Sequence, residues 1–275
     1  MAFNTFDYMF FLSAVAIIYY ILPQKVKKVW LLVVSLAFYA LWDVRYLAVI
    51  GTNIVVTYMA GRLIEKNADR KKLCKTVVAL VAIICIGSLA VFKYSSFLVG
   101  NINKVFGILG VGAQIPVFEI MLSIGISFFT FQSLGYVIDI YRGKYAAEKN
   151  VIIYALFLSF FPQICCGPIG RGDKLLPQYH ADVTYDVDRI REGLLTIAYG
   201  LFLKMVIADN INALISPMFA SWQDYNGMEL LLATLLIGIQ IYCDFYGYSL
   251  MALGSGRVLQ IELMRNFNQP YLATS

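Results

Sequence analysis

The chain has 275 residues, of which 60% are apolar and 14% charged, with a net charge of +5 and a mean hydropathy of +0.72. Soluble domains carry about 45–50% apolar and about 25% charged residues, so a soluble fold of this size would have too little polar surface to cover itself. Composition therefore excludes an ordinary soluble globule and reads as a polytopic membrane protein.

Eight apolar runs follow one another at 8–22, 29–42, 46–60, 76–92, 120–141, 151–169, 194–208 and 228–243. Several are shorter than the roughly 20 residues a straight span needs, and flanking Tyr, Trp, Lys and Arg at the interface extend them. No strand alternation persists, which argues against a β-barrel. The expected fold is all-α: a polytopic integral membrane helical bundle, one membrane domain over residues 1–275.

Orientation follows from the basic segments. Lys25, Lys27 and Lys28 separate the first two runs, and Arg62, Lys66, Arg70, Lys71, Lys72 and Lys75 separate the third and fourth, while Arg45 alone marks the other side. The positive-inside rule makes 23–28, 61–75 and 142–150 cytoplasmic loops of a multi-pass protein in the cell (cytoplasmic) membrane, with the N-terminus outside. The opening "MAFNTFDY" has no Lys or Arg and carries Asp7, unlike a cleavable signal peptide. "RKKLCK" reads as a loop facing anionic lipid of the bilayer, with no nucleic acid as partner.

Cys74, Cys85, Cys165, Cys166 and Cys243 show no CxxC spacing, and there is a single histidine, so no metal site is expected. Neither GxxxxGK[ST] nor GxSxG occurs. His180, in "LLPQYHADVTYD", reads as a solvated loop residue.

Polar residues at bilayer depth are the functional candidates. In 123–143, Ser123, Ser127 and Thr130 share one helix face, with Gln132, Tyr136 and Asp139 on roughly the opposite one. Hydroxyls bonded back to the helix explain the serines. For Gln132 and Asp139 a site role and a structural one stand side by side, Asp139 being near enough to Arg142 for an ion pair. In "FFPQICCGPIGR", Pro162, Pro168, Gly167 and Gly170 forbid a straight span. Broken backbone at this depth lines a cavity or is packed by protein, and Gln163 and Arg171 are the groups that could face a cavity. Lys204, interrupting 200–210, reads as snorkelling to an interface. Gln240, Asp244 and Tyr248 lie at i, i+4, i+8 and form a polar stripe that faces a bundle interior or a cavity.

Five stretches in this order carry a family resemblance: "GISFFTFQSLGYVIDIYRG", "FFPQICCGPIGR", "GLFLKMVIADN", "QIYCDFYGYS" and "NFNQPYLATS". Together they resemble the membrane-bound O-acyltransferase family, in the branch of alginate O-acetyltransferases and teichoic-acid D-alanyl transferases; residues 1–124 match only in hydropathy and topology. The resemblance implies an MBOAT-like bundle, of which this chain is the N-terminal portion. It also implies O-acyl transfer, with acetyl the leading group, to hydroxyls of an envelope or exported polysaccharide or a teichoic-acid-like acceptor. The co-substrate would be an acyl thioester, acetyl-CoA or an acyl carrier protein, with no bound cofactor. Gln163, Arg171, Gln240, Asp244 and Tyr248 would line the substrate tunnel, with Ser127, Gln132 and Asp139 as secondary candidates. Ser123, Tyr246 and Leu250 stand where relatives commonly have Pro, Ser and Asp. The family's catalytic histidines follow in blocks not found in these 275 residues, so no catalytic residue is expected here. The partner would then be a His-bearing half, or other envelope acylation proteins. The alternative is a non-catalytic membrane scaffold or export component derived from such a relative.

Overall fold

The computed structural model describes residues 3–41, 43–108, 116, 125–164, 167–267 and 270–272, and every regular element among them is helical. α1 (Phe6–Ile21) starts on a Thr5 cap whose side chain accepts from the Tyr8 N–H. Pro23, lacking an N–H, separates it from α2 (Gln24–Ala40). α3 (Arg45–Lys66) and α4 (Lys71–Ile108) follow. Lys and Arg are good helix formers, so most of the basic segment 61–75 rides on these two helix ends and only 67–70 connects them. α4 outruns its apolar stretch: 38 residues reach about 57 Å at 1.5 Å per residue.

α5 (Ile126–Tyr141) packs on α3, where Gly61 accommodates the Tyr136 ring; a Cβ there would lie 2.9 Å from Tyr136 Cε1. α6 (Val151–Ser159), capped by Asn150, stops at Phe160, and the short α7 (Phe161–Ile164) leads on toward α8 (Gly172–His180). Pro162 sits in the first turn of α7, where its missing donor costs nothing. The Phe161 N–H, released by the break, donates to Ser35 Oγ at 3.2 Å. Neighbouring protein thus satisfies the interrupted backbone, and the Phe161 ring joins Tyr8, Phe11 and Phe38 in an aromatic core.

α9 (Val187–Leu201), a π-helical stretch Phe202–Ala208 and α10 (Asp209–Ala220) make one continuous rod. It runs antiparallel to α11 (Gly227–Val258), which an Asn226–Glu229 capping box initiates. Two glycine pairs bring the backbones together: a Cβ on Gly254 would lie 2.5 Å from the Gly193 carbonyl oxygen, and one on Gly200 2.6 Å from that of Gly247. Small residues at such crossings let membrane helices pack by direct contact.

By length and composition, Arg45–Lys66, Lys71–Ile108, Val187–Ala220 and Gly227–Val258 can each cross a membrane, and Phe6–Ile21 and Val151–Ile164 are shorter apolar helices. The exposed surface of these helices is rich in large apolar side chains such as Phe10, Ile83, Phe97 and Leu235. That is the inside-out pattern of an all-α membrane bundle.

Candidate functional site

The glycine register fixes the first cluster. Gly193 faces Gly254 and Gly200 faces Gly247; one turn further along the antiparallel pair, Lys204 comes opposite Asp244. Lys204 Nζ lies 2.5 Å from Asp244 Oδ1 and 2.8 Å from Asp209 Oδ1. It also sits 5.4 Å from the centre of the Tyr248 ring. The lysine side chain is 14% exposed, against 35% for Asp244 and 46% for Asp209. The expectation that Lys204 snorkels to an interface is therefore corrected: its stem folds inward and its ammonium bridges two helices. The π stretch makes this possible, because the Asp209 N–H bonds the Lys204 carbonyl five residues back. Positions five apart, which diverge on an α-helix, are thereby stacked. Tyr248 reaches Asn4 Oδ1 at 3.4 Å, and Gln240 is half-buried one turn before Asp244.

A second group surrounds the break after α6. Gln132 donates to the Phe157 carbonyl at 2.6 Å, and Gln163 donates to Gln132 Oε1 at 2.6 Å and to the Pro168 carbonyl at 2.8 Å. The Gly170 N–H completes the set at 3.2 Å from Gln132 Oε1. Two buried amides thus tie the irregular strand 167–171 to α5 and α6. Beside them opens a cleft of about 410 Å³, whose polar wall includes Gln132, Asp139, Lys144, Arg171 and Arg265. Gln163 is not in that wall: it is buried behind it as the bracket that fixes Gln132. Asp139 pairs with Lys144 at 2.7 Å, not with Arg142 as its spacing suggested. The cause is Gly143, whose φ of +70° turns the chain so that the Lys144 N–H caps the Asp139 carbonyl. Ser127 is half-buried on α5 and Thr130 fully buried, while Ser123, Cys165 and Cys166 lie outside the described residues.

Sequence comparison supplies the relatives. No protein-family model matches the chain. It is 34% identical over 276 residues to the probable alginate O-acetylase AlgI of Pseudomonas aeruginosa, an alignment covering 100% of this chain and 52% of that protein. It is 30% identical over 304 residues to the peptidoglycan O-acetyltransferase of Helicobacter pylori, covering 98% of this chain and 56% of that protein. The teichoic acid D-alanyltransferase of Streptococcus thermophilus matches at 26% over 156 residues, 54% of this chain and 37% of that protein. The chain belongs with the membrane-bound O-acyltransferases. It spans about half the length of the curated relatives it matches along its whole length.

Within this family setting, the candidates separate into two groups. Asp244 and Tyr248 join Lys204 on the rod crossing, with Gln240 beside them; Gln132, Asp139 and Arg171 line the cleft, with Gln163 behind. His180 is solvated as expected, with its side chain 53% exposed, but its placement in a loop is corrected. It ends α8, its Nε2 lies 2.8 Å from Glu148 Oε2, and its carbonyl accepts from Lys28 Nζ at 3.1 Å. It is a strut between α2, α8 and the segment 142–150, not a free loop side chain. Among the described residues no group of three or more His, Cys, Asp or Glu could hold a metal ion.

The amide bracket predicts a stability effect. Gln132→Leu removes the acceptor of Gln163 Nε2 and of the Gly170 N–H, along with the donor to Phe157; each stranded buried group costs about 1–3 kcal/mol. The variant should melt clearly below wild type in detergent. Arg171→Ala, at an exposed residue in no ion pair among those described, should stay within about 0.5 kcal/mol. Equal melting temperatures for Gln132→Leu and wild type would remove the bracket's structural role.

Proposed function

We propose that this chain is membrane machinery of an O-acyltransferase that carries an acetyl group from a thioester, acetyl-CoA or an acyl carrier protein, to hydroxyls of an envelope or exported polysaccharide. The observation that carries the reading is the relationship running along the whole chain to proteins named alginate O-acetylase and peptidoglycan O-acetyltransferase. Two polar assemblies in an otherwise apolar bundle give it a physical basis, since polar groups at this depth are costly unless used or paired.

In such a reaction the acceptor hydroxyl oxygen attacks the thioester carbonyl carbon. The new C–O bond forms as the C–S bond breaks, the hydroxyl proton passes to a base, and the thiolate leaves. Holding donor and acceptor in line contributes through proximity, and a positioned base contributes about 10²–10⁴-fold. In this reading Gln240, Asp244 and Tyr248 wall the path on the rod, with Lys204 holding Asp244 in place. Gln132, Asp139 and Arg171 flank the path at the cleft, braced by Gln163. The base is assigned to none of these residues, and His180 is engaged by Glu148. The chain sits multi-pass in the cytoplasmic membrane with its N-terminus outside, so its basic helix ends and the donor share the cytoplasmic side. Its partners in this reading are the bilayer, a polysaccharide or teichoic-acid-like acceptor, and a His-bearing portion or other envelope acylation proteins.

The test uses the full-length protein in membranes from its own host, supplied with acetyl-labelled acetyl-CoA or acyl carrier protein and the host's exported polysaccharide. Alkali-labile acetyl label should accumulate on the polymer. Folded protein that leaves the polymer unlabelled with every donor would end the proposal.

A further inference from the structure

Helix N-termini carry a positive dipole end and favour acidic residues. α2 does the reverse: Lys25, Lys27 and Lys28 crowd its start, no acidic residue lies in its first turn, and Pro23 offers no side-chain cap. Lys28 donates to the His180 carbonyl. Lys27 is different, because only 6% of it is exposed. Its Nζ lies 5.2 Å from the Tyr19 ring centre and 5.7 Å from that of Tyr20. Among the described residues its ammonium has neither a carboxylate partner nor a hydrogen bond. The ring faces attract a cation but leave three N–H donors unused. The side chain is packed away while its ammonium opens on a cavity, where an anion can reach it.

Lys27 borders a cavity of about 300 Å³ that Gln24, Lys28, Gln178, Arg189 and Glu262 also line. Glu262 does not supply the missing anion, for it is held by Arg257 at 2.9 Å and Arg189 at 3.4 Å. Asp182, also on the cavity wall, is exposed to solvent. Gln24 closes the rim through paired bonds with Val183, at 2.6 and 3.1 Å. The cavity therefore has a fixed frame, a helix N-terminus and a packed lysine whose ammonium no wall carboxylate pairs.

We propose that this cavity is a phosphate-binding site, with Lys27 as its central cation and the start of α2 adding its dipole. The phosphate belongs either to the headgroup of an anionic phospholipid or to a soluble phosphorylated ligand. Basic pockets among membrane helices at an interface are suited to headgroups, and helix N-termini to phosphate in general.

The full-length protein is reconstituted in nanodiscs of phosphatidylcholine alone, of phosphatidylcholine with phosphatidylglycerol, and of phosphatidylcholine with added inorganic phosphate or ADP. Labelling of Lys27 by an amine-reactive reagent is followed by peptide mass spectrometry, with exposed Lys25 as internal reference. At a ligand concentration about ten times Kd, labelling of Lys27 should slow about tenfold while Lys25 is unchanged. Protection by phosphatidylglycerol assigns a lipid headgroup, and protection by phosphate or ADP in phosphatidylcholine assigns a soluble ligand. The same anion should raise the melting temperature of wild type and of Lys27→Arg, but not of Lys27→Met. Lys27 labelling that no anion slows overturns the proposal without needing any variant to fold.

Discussion

Lys204→Met should lower the stability of the protein by about 1–3 kcal/mol and cut acyl transfer by the full-length protein at least tenfold. Removing one member of a fully buried pair costs about 3–5 kcal/mol because the other charge is left stranded. Exposed pairs are worth about 0–1 kcal/mol. The Lys204 cluster lies between these limits, with a lysine 14% exposed and aspartates 35% and 46% exposed. The loss on activity follows if Asp244 must be held against α9 to line the path, because a carboxylate freed from its cation swings toward water. A double variant, Lys204→Met with Asp244→Asn, should recover more than half of the lost stability, since no charge then remains unpaired on α11. Thermal unfolding of the three proteins in one detergent decides the matter. Should Lys204→Met melt with wild type, the bridge contributes nothing and the lysine behaves as an interfacial side chain after all.

Gly254→Ala should be among the most damaging single-methyl changes in the molecule. The new Cβ would stand 2.5 Å from the Gly193 carbonyl oxygen, with the Ile197 backbone N–H 2.9 Å away. Both are backbone atoms of a packed helix and cannot rotate aside, so the rods must separate. Overpacking of this kind costs about 1–3 kcal/mol or more. Separation at Gly254 also lengthens the lever to Lys204, so the variant should lose part of the charge bridge as well. Gly51→Ala is the matched control. That position lies in α3 with nothing within 4 Å of an added Cβ, and replacing a helical glycine there should gain about 0.5–1 kcal/mol. Folded yield and melting temperature should therefore move in opposite directions for the two variants. A Gly254→Ala protein as stable as wild type would contradict the close crossing.

What the sequence reveals and what it conceals divide along physical lines. Apolar runs and basic segments are local, and from them the helical membrane bundle could be read directly. The break at 160–171 was equally legible, because proline and glycine act on their own neighbours. Lys204 was misjudged for two reasons. Its partner Asp244 is forty positions away, set by a glycine register that only the folded rods reveal, and the π stretch that adds Asp209 leaves no mark in residue periodicity. Gln163 was expected to face a cavity but lies behind the cleft wall, because Gln132 and the Pro168 carbonyl decide which way its amide turns. Asp139 chose Lys144 over Arg142 because of one left-handed glycine, a backbone choice that side-chain spacing does not encode. The lone histidine is solvated as read, but its pairing was hidden because its acceptor, Glu148, sits on a different segment.

The π stretch from Phe202 to Ala208 has a mechanical corollary. It holds a surplus residue, like a ruck in a carpet, and such a defect can anneal or migrate unless something pins it. On an uninterrupted α-helix, Asp209 would stand about 140° around the axis from Lys204, out of reach of its ammonium. The ammonium and the defect therefore hold each other: the winding delivers the aspartate, and the aspartate locks the winding. The angular setting of α10 relative to α9 is consequently indexed to a single lysine, and whatever pulls on that lysine turns the outer third of the rod.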